Sequence, residues 1–152
     1  MVRVMAVGVF DLLHAGHLHY LEQAKSLGTE LVVVVANDDT VRSQKHEPVT
    51  SQELRCRMVN GLKPVDQAMV GNPPGTPIFD ILKIVKPDVI ALGYDQKHSI
   101  DSIRSGLDKH GFSDVELTRV EGLSDDLDGT RKIIARILDL WPNSEGGPYE
   151  ED

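Results

Sequence analysis

The sequence predicts an α/β fold: a doubly wound, five-stranded, mostly parallel sheet of the Rossmann-like kind. Three observations predict it. The segments Val2–Val9 and Leu31–Ala36 are short, almost unbroken apolar runs rich in valine, as strands buried on both faces of a parallel sheet require. Such runs alternate along the chain with stretches of helical spacing, which makes βαβ units. Two of them, Val2–Val9 and Val89–Leu92, run out at a glycine followed closely by Asp11 or Asp95.

After the first strand, Leu18, Leu21, Ala24 and Leu27 fall on one side of a predicted helix over 18–27, with Gly28 as its stop. Leu31–Ala36 is the second strand. Residues 37–49 are polar and mixed and read as a loop. Thr50 with Glu53 has the form of a capping box, so a helix is predicted over 51–62, burying Leu54, Met58, Val59 and Leu62. Pro64 closes it, and 67–70 is the third strand. The run GNPPGTP over 71–77 is a loop, 78–85 a short helix and 89–92 the fourth strand. A helix over 100–109 ends at Gly111, 115–120 is the fifth strand, and 131–140 is the last helix. A single domain over 1–141 is expected, followed by an acidic, disordered tail over 142–152.

Composition removes several classes of function. At 152 residues, with 40% hydrophobic and 26% charged residues, the chain is that of an ordinary globular protein, and no apolar run reaches the roughly 20 residues of a membrane span. The first residues read as a strand and not as a targeting segment, so the expected location is the cytoplasm, without membrane association. The formal charge of -8 argues against a nucleic-acid backbone as partner. One cysteine, Cys56, allows neither an internal disulfide nor a cysteine zinc site and is expected to be a core thiol.

Chemistry concentrates where the first strand ends. His14-Ala15-Gly16-His17 sets two imidazoles three residues apart at the first turn of a helix. There, unpaired N–H groups and the positive end of the helix dipole suit a phosphate chain. No Glu accompanies the pair as in HExxH, so protein-held metal is not expected. Asp11 is the nearest carboxylate and is suited to position a His, a metal or its water.

The segment Gly8-Val9-Phe10-Asp11-Leu12-Leu13-His14-Ala15-Gly16-His17 resembles the GxFDxxHxGH signature of the cytidylyltransferase-like nucleotidyltransferases, and the resemblance extends over nearly all of residues 2–140. Within that family the chain is most similar to the short archaeal FAD synthases. That similarity rests on His19-Tyr20-Leu21-Glu22-Gln23-Ala24, Glu53-Leu54-Arg55, Val65-Asp66-Gln67-Ala68 and Leu92-Gly93-Tyr94-Asp95-Gln96. Gln96 stands where bacterial glycerol-3-phosphate enzymes usually have Trp.

The resemblance implies attack by an acceptor phosphate on the α-phosphorus of a nucleoside triphosphate, with Mg²⁺ carried by the nucleotide. A phosphomonoester is mostly dianionic at neutral pH, so positioning and charge neutralisation suffice. It implies catalytic roles for His14, His17, Lys45 and Arg131. Nucleotide contacts are expected from Gly8, Val9, Phe10, Asp11, His14, Gly16, His17, Gly93, Asp95, Ser124, Thr130 and Arg131, and acceptor contacts from Lys45, Arg55 and Asp38. The final motif departs from the family pattern, with Asp125, Asp126 and Asp128 ahead of Thr130. The first reading is AMP transfer from ATP to FMN. The alternatives are a cytidylyltransferase using CTP and glycerol 3-phosphate or another phosphorylated acceptor, and a nucleotide-binding module without turnover. Small members of the family are often dimers, and a homodimer is the corresponding expectation.

Overall fold

A computed structural model describes residues 1–44, 46–77, 79–93, 99–123 and 129–142. The expectations for Lys45, Asp95, Ser124 and the tail beyond residue 142 lie outside the described residues. Five strands form one sheet: β1 (Arg3–Gly8), β2 (Glu30–Val35), β3 (Gln67–Val70), β4 (Val89–Leu92) and β5 (Glu116–Arg119). The spatial order is β3-β2-β1-β4-β5 and every pairing is parallel. Among the described residues, five helices connect them, α1 (Ala15–Lys25), α2 (Asp38–Gln44), α3 (Gln52–Asn60), α4 (Phe79–Val85) and α5 (Ile100–Lys109), and a sixth, α6 (Thr130–Leu140), follows β5. None of them is long and apolar enough to cross a membrane.

The valine-rich runs are explained by burial on both faces. Val4, Ala6, Leu31, Val33 and Val35 pack into one core layer with Leu21 and Ala24 of α1 and Val59 of α3. The alternate residues Met5, Val32, Val34, Ile90 and Leu92 pack into the other with Ile81, Leu82 and Val85 of α4 and Leu107 of α5. A strand feeding two layers cannot alternate polar with apolar residues, and these do not.

Strand order reverses beside β1, which pairs with β2 on one side and β4 on the other. Here the sheet opens a crevice beyond the carboxyl ends of β1 and β4, where open α/β sheets bind ligands. Tyr20 of α1 ties the two strands together, its hydroxyl donating to the Ala91 carbonyl at 2.6 Å and accepting from the Val7 N–H at 3.4 Å.

Two elements differ from expectation for physical reasons. The segment expected as a loop over 37–49 contains α2. The Asn37 side chain accepts from the Asp39 N–H at 3.0 Å, and only Val41 is buried, so the helix has a local cap but no apolar periodicity to announce it. The cap of α3 is Ser51, which accepts from the Leu54 N–H, and not Thr50. Thr50 is engaged elsewhere, in the site.

Candidate active site

β1 ends at Gly8, and the chain turns sharply into α1 through two strained residues. Phe10 and Leu12 have φ of 57° and 51°, a left-handed conformation that costs a bulky residue on the order of 1–3 kcal/mol. The surroundings hold both. The Phe10 ring is buried over the end of β1, so close that a Cβ on Gly8 would lie 2.8 Å from its ring carbons. It meets His17 edge-on at 5.4 Å between centroids and stacks near Tyr20 at 6.3 Å. Glycine at position 8 is therefore a steric requirement of the Phe10 position.

Asp11 lies between the strained pair and is buried. Its carboxylate accepts from the Val49 N–H at 2.7 Å, the Thr50 N–H at 3.1 Å and the Thr50 hydroxyl at 2.6 Å. Burial alone would raise its pKa. The hydrogen bonds from Thr50 and Val49, with the nearby Arg55 charge, outweigh that and hold it below the usual 3.8. The carboxylate thus pins the segment before α3 to the loop before α1.

The two histidines form a reciprocal cap. His14 is the N-cap of α1, and its Nδ1 accepts from the Gly16 and His17 N–H groups at 3.1 and 3.3 Å. His17 Nδ1 accepts from the His14 N–H at 3.4 Å. The rings stack with centroids 3.7 Å apart. Because each Nδ1 is an acceptor, each ring in its neutral form carries its proton on Nε2. The backbone has fixed the tautomer of both rings as the one that offers N–H to an anionic oxygen. No acidic side chain lies in the first turn of α1 or of α6. Neither first turn therefore sets a carboxylate against the positive end of its helix dipole.

α6 is fastened to this loop at its first residue, where the Thr130 hydroxyl donates to the Asp11 carbonyl at 3.1 Å. Thr130 is thereby brought to the site, although its hydroxyl proton serves the loop. Arg131 follows it, exposed in the first turn of α6. Across the crevice, Gly93 is buried at the end of β4, and its carbonyl accepts from Arg119 of β5 at 2.7 Å.

The expected acceptor contact Arg55 needs correction. Arg55 is 1% exposed. Its guanidinium donates to the carbonyls of Thr50, Val9 and Ala36 at 3.0, 2.8 and 2.9 Å, and it pairs with the Asp38 carboxylate. It joins the ends of β1 and β2 to the start of α3, so Arg55 positions the loops and does not stand open as an acceptor contact, while the half-buried Asp38 holds it there with one carboxylate oxygen. The charged fork of arginine suits this convergence of carbonyls.

Sequence reasoning gave no site role to Tyr20 or Arg119, and read Thr50 only as a helix cap. Each acts through a single long-range hydrogen bond network, for which no periodic signal exists. Among the described residues no group of three His, Cys, Asp or Glu side chains gathers as a metal site. The donors present here are N–H groups, which suit phosphate oxygens.

Comparison with known proteins agrees with this geometry. A family model described as Cytidylyltransferase-like matches residues 5–124. A protein of Aciduliprofundum boonei named FAD synthase is 48% identical over 140 residues, 91% of this chain and 92% of its own. One of the same name from Thermococcus onnurineus is 46% identical over 142 residues, 92% of this chain and 93% of its own. A crystal structure from Thermoplasma volcanium, described as a lipopolysaccharide core biosynthesis protein, superposes with a TM-score of 0.78 at 43% identity, covering 82% of this chain and 99% of that one. The doubly wound sheet, the reciprocally capped histidines at its switch point and these likenesses together show that the chain belongs to the cytidylyltransferase-like family of nucleotidyltransferases.

Proposed function

We propose that the protein is an FMN adenylyltransferase, joining AMP from MgATP to FMN to give FAD and pyrophosphate. The observation that carries the chemistry is the reciprocal His14–His17 cap, which presents two Nε2–H donors at the N-terminus of α1. The acceptor and the base are supported by relatives that bear the name FAD synthase at 41–48% identity.

The reaction needs no proton abstraction. An oxygen of the FMN phosphate dianion forms a bond to the α-phosphorus, the bond from that phosphorus to the bridging oxygen of the β-phosphate breaks, and pyrophosphate leaves with the electron pair. His14 and His17 donate to phosphate oxygens as charge moves toward the leaving group, the kind of preorganised stabilisation that lowers barriers most. Mg²⁺ arrives and leaves with the polyphosphate. The N-terminus of α6, with Arg131, is held beside the same loop by Thr130, and Lys45 belongs to the acceptor side. Gly93 and Asp95 are assigned to the nucleoside and Ser124 to its phosphates.

The test is pyrophosphate release with MgATP or MgCTP against FMN and glycerol 3-phosphate. FMN-dependent release with MgATP is the expected result. Release only with MgCTP and glycerol 3-phosphate would overturn the proposal.

A further inference from the structure

α3 was expected to bury Leu54 and Met58, yet they are 53% and 59% exposed. α6 is amphipathic but has no buried residue, with Ile137 46% exposed. These side chains are not scattered. Leu54 and Met58 of α3 face Ile133 and Ile137 of α6 across a groove of about 520 Å³, with Leu12 on its wall and the buried Phe10 at its base. This is the size and apolar character of a small-molecule pocket, and clustered exposed apolar side chains mark a binding surface.

The groove is continuous with the active site. Its base, Phe10, is the ring that meets His17 at 5.4 Å. Leu12 lies two residues before His14, and its positive φ is part of the turn that delivers both. α6 is anchored to the same turn by Thr130. A ligand whose phosphate meets the histidines can therefore extend an apolar part along Phe10 into the groove. Resting on the adenylyltransferase reading above, we propose that the groove between α3 and α6 binds the isoalloxazine ring of FMN and is what selects a flavin over a polyol phosphate as acceptor. The flat faces and dimethylbenzene end of this tricycle fit these walls, whereas glycerol 3-phosphate has no apolar surface to place against them.

Leu54 and Met58 are exposed, so Leu54→Ser/Met58→Gln folds normally by far-UV circular dichroism. Fluorescence titration with FMN and steady-state kinetics read the effect. The double variant weakens FMN binding and raises KM for FMN by about tenfold or more, as loss of apolar contact in a pocket commonly does, while KM for MgATP stays within about twofold of wild type. Ile84→Ser, an equally exposed apolar residue on α4, changes neither. Unaltered FMN affinity in the double variant, in a protein whose wild type makes FAD, overturns the groove assignment alone. So does sedimentation showing that the double variant only splits a wild-type dimer, since a second copy would then cover the face. A wild type that uses MgCTP and glycerol 3-phosphate but not FMN overturns the functional reading and this inference together.

Discussion

His14 and His17 show how few atoms define the site. His14 Nδ1 caps α1 and His17 Nδ1 accepts from the His14 N–H, so in the proposed reaction the side chains that hold the turn are the ones that meet phosphate. Removing one donor to developing charge costs roughly 10²–10³-fold in turnover. His17→Ala is expected to lose that much kcat with little change in FMN affinity, measured by steady-state kinetics and titration, and near-wild-type kcat would refute the role.

Gly8→Ala places a Cβ 2.8 Å from the Phe10 ring, which must then move the ring that supports His17. Turnover should fall by at least tenfold, and full activity would show that the Phe10 position is dispensable. Asp11 has a depressed pKa, so its contribution to stability is present above the unfolded value and is lost as pH falls through the lower folded one. Asp11→Asn is expected to be less stable than wild type at pH 7, with the difference shrinking as pH drops below 3.8. Thermal denaturation across that range checks it, and a pH-independent difference would contradict it.

At the scale of elements, α3 carries the largest gap between sequence and structure. Its apolar residues suggested a buried stripe of Leu54, Met58, Val59 and Leu62, yet the residue that goes fully inside with Val59 is Arg55. Hydrophobic spacing could not reveal this. Arg55 is stabilised inside by three carbonyls and Asp38 that come from three separate segments. Breaking such a buried charged network typically costs about 3–5 kcal/mol. Arg55→Met should lose that much in urea denaturation, and Arg55→Lys should recover little because an ammonium lacks the fork. A loss under about 1 kcal/mol would refute the structural role. α2 was missed because one buried residue, Val41, makes no pattern. α6 was legible as a helix, but that its apolar face stays exposed depends on how Thr130 fastens it to the Asp11 loop.

For the whole molecule, the fold could be read because strands buried on both faces leave unbroken apolar runs. Residues 67–70 and 89–92 were bounded as observed, and the parallel pairing follows from alternation with helices. The site was legible where one local motif carries the geometry, as in HAGH. It was not where the contacts cross the chain, as from Asp11 to Thr50 or from Tyr20 to Ala91, because no local pattern encodes a partner dozens of residues away. Cys56 fits its expected place, half-buried against the core with its thiol pKa pushed up by burial.

The most direct measurement is chromatographic detection of FAD after incubating the protein with MgATP and FMN, with pyrophosphate assayed in the same reaction. FAD and pyrophosphate should appear in equal amounts and fall together, by about 10²–10³-fold, in His17→Ala. Pyrophosphate from MgCTP and a polyol phosphate with no FAD from MgATP and FMN, or tight FMN binding without any product, would contradict adenylyl transfer to a flavin at this site.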